Sequence, residues 1–485
     1  MDGQVKMQRK LLSGLFWVLL LNLLVKPFWI LGIETGVQRA VGNTEYGIYF
    51  AIFNLTYIFN ILLDMGITSF NTRNIAQKPE QIESRLGGIL CVKVLLLGVY
   101  IIVTFAAGLL LGYGSRQFLL LAILCFNQFL NSLILYLRSN FEGLLLFRWD
   151  SVISVLDRGM MIVICGLLLW LPDSPAFRIE YFVYAQTAAY LITAAVALAV
   201  LVRKTGVPHL RFDRLFTLAT LRQSAPFALL VLLMASYNRI DPILLQRLAA
   251  DGSSQAGVYA VAFRLLDALT MIAYLVSVPL LPIFAKLVAD ADGRGQLPGT
   301  LRLVTSLMLA FSIAAAITFA GMDRQLMELL YPDSATASAP VFRVIIWGII
   351  PISMTYVYGT LLTADGRLRQ LNIFATSALV INVAANLILI PRMGARGSAW
   401  ASLAAQSFMA AAQMVAALRR YRIAPPWGYL FKIALYILAV LAVSSLCLHF
   451  GWWQRLLLMA AAAIMLAMIM KLIDIKQIKT ILLEQ

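Results

Sequence analysis

The sequence predicts an all-α polytopic membrane protein with about fourteen transmembrane helices, built as two pseudo-repeated six-helix bundles plus two C-terminal helices. Three observations carry that prediction. Of 485 residues 61% are hydrophobic and 13% charged, and the mean hydropathy is +0.85, which no surface of ordinary water-soluble domains could accommodate. Apolar runs of about 20 residues, the length that crosses a bilayer, recur from end to end. The basic residues are sorted to one set of the loops between those runs.

The first run, 11–34, follows Lys6, Arg9 and Lys10 as the core of a signal peptide would. It is too long for one and no small-x-small cleavage site follows, so it is expected to stay attached as the first span. The next five runs lie near 46–70, 87–112, 117–137, 151–171 and 181–203, completing an N-terminal six-helix bundle over 1–203. Residues 204–223, with His209, Arg211, Asp213, Arg214 and Arg222, read as a cytoplasmic linker. Runs near 224–248, 256–285, 301–322, 340–363, 370–391 and 397–418 make a C-terminal bundle over 224–418. Two additional helices, 428–449 and 454–473, and a cytoplasmic tail fill 428–485. The halves echo each other: Gly47, Tyr49 and Phe53 match Gly257, Tyr259 and Phe263 at one constant offset, and Gln38-Arg39 is echoed by Gln246-Arg247. Repeats with an even number of spans are parallel, and transporters built this way hold their site where the repeats meet.

With the N-terminus placed inside, twenty-five of the thirty-nine lysines and arginines fall in one set of loops, nine in the other and five within spans. That bias puts both termini in the cytoplasm. The formal charge of +16 therefore reports topology and not a nucleic-acid site.

The five intramembrane cations are Lys26, Lys93, Arg158, Arg239 and Arg264, accompanied by Asp64, Asp157, Asp241 and Asp267. Each cation costs several kcal/mol on insertion scales, so by default it faces a water-filled cavity or an anion. Such a set suits the passage of something negatively charged. Plainer readings stand beside that one. Arg264 and Asp267 share a helix face at i, i+3, and Asp157 adjoins Arg158, so both are also candidates for structural ion pairs. Asp241 points about 200° around the helix from Arg239. Lys26, beside Pro27, has no acid within a turn and can snorkel; Lys93, nearer a span end, is expected to snorkel. Asp64 is a candidate for binding a proton or sodium ion, or for pairing with Arg158 or Lys93. Asn127, Asn131, Asn382 and Asn386 can line a sugar passage or tie helices together, and Tyr237 and Tyr259 can stack on sugar rings or pack. Pro242 is expected to bend its helix near Arg239.

Cys91, Cys125, Cys165 and Cys447 all fall in apolar segments and offer neither a disulfide framework nor a zinc pattern. No nucleotide-binding glycine loop, metal cluster or nucleophile triad occurs, so no cofactor or metal is expected. A membrane enzyme of lipid-linked sugars should carry a sizeable outer loop bearing acids, His or Arg. The longest outer loop, about 323–339, is short and lacks His, which favours a transporter over an enzyme.

Three segments carry a resemblance. Gly257-Val-Tyr259, followed by Arg264-Leu-Leu-Asp267 and Pro279-Leu-Leu-Pro282-Ile-Phe, resembles a pattern of polysaccharide (O-antigen, capsule, exopolysaccharide) repeat-unit flippases. Asn386-Leu-Ile-Leu-Ile-Pro391 with Gly394-Ala-Arg-Gly397-Ser-Ala-Trp400 is similar to the segment between their eleventh and twelfth spans, and Leu330-Tyr331-Pro332 resembles a third. Those flippases belong to the multidrug/oligosaccharidyl-lipid/polysaccharide exporter superfamily. The resemblance implies a V-shaped pair of bundles that alternates access and carries undecaprenyl-pyrophosphate-linked oligosaccharide across a bacterial inner membrane. It implies membrane lipids and a lipid-linked oligosaccharide pyrophosphate as partners, with polysaccharide polymerase and assembly proteins as further candidates, and no nucleic acid. A pyrophosphate cannot cross hydrocarbon without compensating charge, so Lys26, Arg239 and Arg264 are the expected substrate-binding residues; guanidinium groups bind phosphate oxygens in pairs. An ion-coupled multidrug exporter of the same superfamily is the alternative.

Overall fold

A chain that crosses hydrocarbon has no water to satisfy its backbone polar groups, and a helix satisfies them internally. In a computed structural model of the protein the described residues are 25, 28–68, 71, 75, 82–144, 146–170, 177–206, 228–277, 280–289, 293–423, 427–470 and 472, and every regular element among them is a helix. Eleven of these helices are long and apolar enough to cross a membrane, twelve if the bent pair Ala228–Arg239 and Asp241–Leu248 is one span.

Two of the eleven contain a reversal of the chain. In Trp29–Leu63, Trp29 and Tyr49 both pack on the Phe182 ring, at 5.9 and 5.4 Å, although a straight helix would hold them about 30 Å apart. The turn is at Gly42, whose φ of 79° suits a residue without a Cβ. In Leu368–Tyr421 the break is Gly394, φ 54°. A Cβ on Gly397 would meet the Leu389 carbonyl oxygen at 2.4 Å, and eight straight helical residues would separate the two by about 12 Å. The Gly394-to-Gly397 segment that carried the resemblance is thus the hairpin between two spans. Splitting both helices and counting the bent pair gives thirteen spans among the described residues and, in 29–41, the end of the first of the fourteen expected.

By packing, the chain divides into two units, one of Met1–Arg247 with Asp251–Gly257 and the other of Leu248–Ala250 with Val258–Gln485. Most of the expected linker 204–223, from residue 207 on, lies outside the described residues. In the first unit, Ser115–Gly143 packs along Ile179–Thr205 and Thr35–Ile58, around a core that includes Leu96, Leu130, Ile134, Tyr136, Phe141 and Ile153. The start of Gly252–Ser277 joins this unit through two glycines. A Cβ on Gly47 would lie 1.8 Å from the Ser253 carbonyl oxygen and one on Gly257 2.0 Å from that of Asn43, while Gln38 Nε2 donates to the Gly257 carbonyl at 2.9 Å. Asn43 and Ser253 obey the same offset as Gly47 and Gly257, so the crossing is reciprocal, a small-xxx-small contact that lets two backbones touch.

In the second unit the helices Trp427–Leu446 and Trp452–Ile469 pack on Gly293–Ala320 through Ala310, Ile313, Ile317, Tyr436, Val440 and Met459. Arg455 fastens one end of them: it is 2% exposed and donates from Nη1 to the Gly321 carbonyl at 2.9 Å and from Nη2 to Ser444 Oγ at 3.2 Å. A Cβ on residue 321 would meet Nη2 at 2.6 Å, so glycine is what leaves the guanidinium room.

Exposure is inverted relative to a soluble protein. Ile102 is 71% and Leu438 64% exposed, while Asn54, Asn127, Asn382 and Asn386 are buried. A lipid-facing exterior with polar groups turned inward is the arrangement hydrocarbon selects, and the chain is a multi-pass membrane protein.

Candidate functional site

In the first unit the helix Thr35–Ile58 carries Tyr46, Tyr49, Phe53 and Tyr57 at three- and four-residue spacing, which puts them on one face. They form a continuous run of rings: Tyr46 to Tyr49 at 5.5 Å, Tyr49 to Phe53 at 5.8 Å and Phe53 to Tyr57 at 6.2 Å. Phe182 and Trp29 extend the run beyond Tyr49. An arginine lies over each end. The Arg158 guanidinium is 5.3 Å from the Trp29 ring centroid and that of Arg239 5.0 Å from Tyr57. Glu34 accepts a hydrogen bond from Trp29 Nε1 at 3.1 Å, and Asp157 stands 3.8 Å from Arg158, too far for a hydrogen bond. Tyr57 is 40% exposed, and Phe53 and Arg239 are partly exposed, so this end of the run is accessible.

Arg239 ends one helix and Asp241 begins the next, with a 46° bend between them. Pro242, which has no N–H to give to the residue four before it, accounts for the bend. Asp241 is fully buried in the first turn of Asp241–Leu248, where the helix dipole favours a carboxylate.

Asp64 meets a lysine. After the 3-10 turn Phe59–Leu63 the backbone leaves the helix through Met65 at φ 46° and Gly66 at φ 82°, which turns the Leu63 carbonyl and the Asp64 carboxylate toward Lys93. Lys93 Nζ donates to Asp64 Oδ1 at 3.0 Å, Ser132 Oγ at 2.9 Å and the Leu63 carbonyl at 3.2 Å, the full capacity of an ammonium. The Thr68 hydroxyl also donates to Asp64. Lys93 was expected to snorkel; its side chain is instead 1% exposed, because three acceptors inside the bundle satisfy it where it lies.

In the second unit Arg264 is buried, its Nη1 hydrogen-bonded to the Tyr331 hydroxyl and its guanidinium 5.9 Å from that ring. Two of the segments that carried the resemblance, around Arg264 and around Tyr331, therefore meet in space. Asp267 is exposed. Tyr259 stacks on Phe263 at 5.9 Å and 19°, repeating the Tyr49–Phe53 stack at 5.8 Å and 27°, so the sequence repeat is a repeat of geometry.

Among the other candidates, Asn127 donates to Gln186 Oε1 at 3.3 Å and accepts from Thr187 Oγ1 at 2.7 Å, tying Ser115–Gly143 to Ile179–Thr205. Asn131 is partly exposed. Asn386 Nδ2 donates to Asn382 Oδ1 at 2.8 Å, and Asn382, Asn386, Tyr237 and Tyr259 are all buried in helix packing. Lys26 lies outside the described residues. Among the described residues no three His, Cys, Asp or Glu side chains gather as metal ligands would. Sequence reasoning did not single out Trp29, Tyr57, Phe182 or Arg455, and it named Tyr331 only within a motif. The aromatic spacing of Thr35–Ile58 was available as a signal for Tyr57; nothing in the sequence joined Arg158 to Trp29.

The family described as polysaccharide biosynthesis protein matches residues 11–288. No curated protein matches. Among solved structures, the chain is similar to the lipid II flippase MurJ in an inward closed conformation, with 14% identity over 93% of this chain and 98% of that one and a TM-score of 0.71. It is also similar to an inward-facing multidrug resistance MATE family transporter of the MOP superfamily, with 16% identity over 81% and 94% of the two chains and a TM-score of 0.64. A MOP superfamily transporter from Pyrococcus furiosus, whose binding pocket is described as having reverse polarity, gives 16% identity over 86% and 95% and a TM-score of 0.56. At these identities the likeness is one of fold. With more than half its length matched, this all-helical chain belongs to the polysaccharide biosynthesis protein family and has the fold of MOP superfamily transporters.

Proposed function

We propose that the protein is a flippase that carries an oligosaccharide linked through pyrophosphate to a polyprenyl lipid from the cytoplasmic to the periplasmic leaflet of a bacterial inner membrane, by alternating access. The observation that carries this reading is the run of aromatic rings in the first unit with an arginine over each end, open at Tyr57 and Arg239. Rings offer sugars an apolar face, and guanidinium groups bind phosphate oxygens in pairs. Arg239 and Arg264, with Lys26, are the proposed phosphate contacts; Arg158 is a further cation on the same run. The Asp64–Lys93 pair is proposed as a structural tie, since the ammonium stands where a coupling ion would bind.

Release requires that each contact be modest. One charge-assisted hydrogen bond contributes about 1.5–3 kcal/mol, so Arg239→Ala and Arg264→Ala should each lower initial flipping rates at subsaturating substrate by roughly 10- to 100-fold. Tyr57→Leu removes a stacking face and a cation–π contact of about 0.5–2 kcal/mol and should lower them by roughly 2- to 30-fold. The assay is flipping of a fluorescent pyrophosphate-linked oligosaccharide in proteoliposomes at matched protein content. Full activity in all three variants would refute the site. Gradient-driven uptake of small organic cations by the wild type, with no flipping, would point instead to an ion-coupled multidrug exporter.

A further inference from the structure

A cavity of about 550 Å³ opens in the second unit between Gly293–Ala320, Ile349–Ala364, the end of Leu368–Tyr421 and the start of Trp427–Leu446. Its inner wall is apolar, with Leu309, Met354 and Ile433 among the lining residues. From Pro298 at the mouth to Leu309 it runs about 16 Å along the helix. Counting about 30 Å³ for a group the size of a water or a methylene, it has room for about eighteen such groups, one acyl chain.

The mouth is cationic. Arg302 lines it, exposed, with its guanidinium 5.6 Å from the Tyr429 ring. Among the described residues no carboxylate pairs with Arg302; Asp365 is taken by Arg367 at 2.8 Å and Arg420 at 3.3 Å. Part-way down the wall, Thr305 Oγ1 lies 3.2 Å from the Tyr358 hydroxyl and Ser306 Oγ 3.0 Å from that of Tyr429, so these hydroxyls satisfy one another and leave the interior dry.

We propose that this cavity binds an anionic phospholipid of the surrounding bilayer, with one acyl chain inside and the phosphate on Arg302. An arginine at the mouth of an apolar slot, with no carboxylate against it among the described residues, is complementary to that amphiphile, whereas a zwitterionic headgroup presents its own cation to Arg302. By the same count a polyprenyl chain of the length a flippase substrate carries would leave about two thirds of its length outside. The inference is independent of the transport reading.

Native mass spectrometry of the purified full-length protein in detergent, titrated with dioleoyl phosphatidylglycerol or dioleoyl phosphatidylcholine, tests it. The wild type should retain one phosphatidylglycerol with clear preference over phosphatidylcholine. Arg302→Gln, an exposed change that leaves packing intact, should weaken that retention by about tenfold, the loss of one charge-assisted contact. Leu309→Trp should fill the slot and abolish retention of both lipids. Glycerol phosphate, a headgroup without chains, should not displace the lipid. Equal retention by wild type and Arg302→Gln, or displacement by undecaprenyl phosphate at equal concentration, would overturn the proposal, the second result assigning the cavity to polyprenyl chains.

Discussion

Replacing Lys93 by methionine separates a structural role for the Asp64–Lys93 pair from a role in ion coupling. Methionine keeps most of the buried hydrocarbon volume and removes the hydrogen bonds to Asp64, Ser132 and Leu63. Breaking a buried ion pair by deleting one partner costs about 3–5 kcal/mol. Because the Asp64 side chain keeps 23% exposure and its bond from Thr68, Lys93→Met should lie at the low end, about 3 kcal/mol, a shift of over a hundredfold in the unfolding equilibrium. Asp64→Asn leaves the ammonium with neutral acceptors only and should cost about 2 kcal/mol. The double variant carries no orphaned charge and should also cost only about 2 kcal/mol, which gives a coupling energy of about 3 kcal/mol in the cycle. Reversible unfolding in mixed detergent measures all four proteins, and the flipping assay is run on the same preparations. Additivity within about 0.5 kcal/mol would refute the pair. A stable double variant whose transport no longer responds to an ion gradient would refute the structural reading and make Asp64 the coupling carboxylate.

Two further predictions concern packing. Gly47→Ala and Gly257→Ala each drive a methyl group into backbone of the opposite helix and should destabilise the first unit by about 1–3 kcal/mol, whereas Gly98→Ala, with nothing within 4 Å, should be neutral or gain up to about 1 kcal/mol of helix propensity; equal unfolding midpoints for Gly47→Ala and Gly98→Ala would rule the close crossing out. Arg455→Ala removes both bonds that hold Trp452–Ile469 to Gly321 and Ser444 and should speed limited proteolysis in the connection 447–451 between the two helices, while Arg455→Met, which keeps bulk and removes the charge, should do so less; unchanged cleavage in both would show that apolar packing alone docks these helices.

The span count was legible because hydrocarbon imposes a length and a composition on every crossing segment, and the signal survives without tertiary context. The bend at Arg239 was legible for a similar reason, since a proline acts on its own backbone. The repeat announced itself through Gly47, Tyr49 and Phe53 against Gly257, Tyr259 and Phe263, residues whose backbone approach and ring stacking recur. Charged partners were harder to read. The i, i+3 spacing of Arg264 and Asp267 suggested a pair on one helix, and gave no sign of Tyr331, 67 residues further on, whose hydroxyl bonds the buried Arg264 guanidinium. Lys93 read as a snorkelling lysine because the acceptors that hold it, on Leu63, Asp64 and Ser132, come from two other helices.

By itself, then, the sequence determined what each residue must satisfy locally: which stretches lie in lipid, where the helices bend or reverse, and that several cations inside the membrane require partners. Tertiary structure alone decided which partners they take, placing Arg158 on Trp29, Arg239 on Tyr57 and Arg455 against a carbonyl at Gly321. The reason is that helix periodicity fixes a side chain's direction about its own axis, while the neighbour it meets depends on how separate helices pack, and that packing is encoded in contacts between residues far apart in the chain.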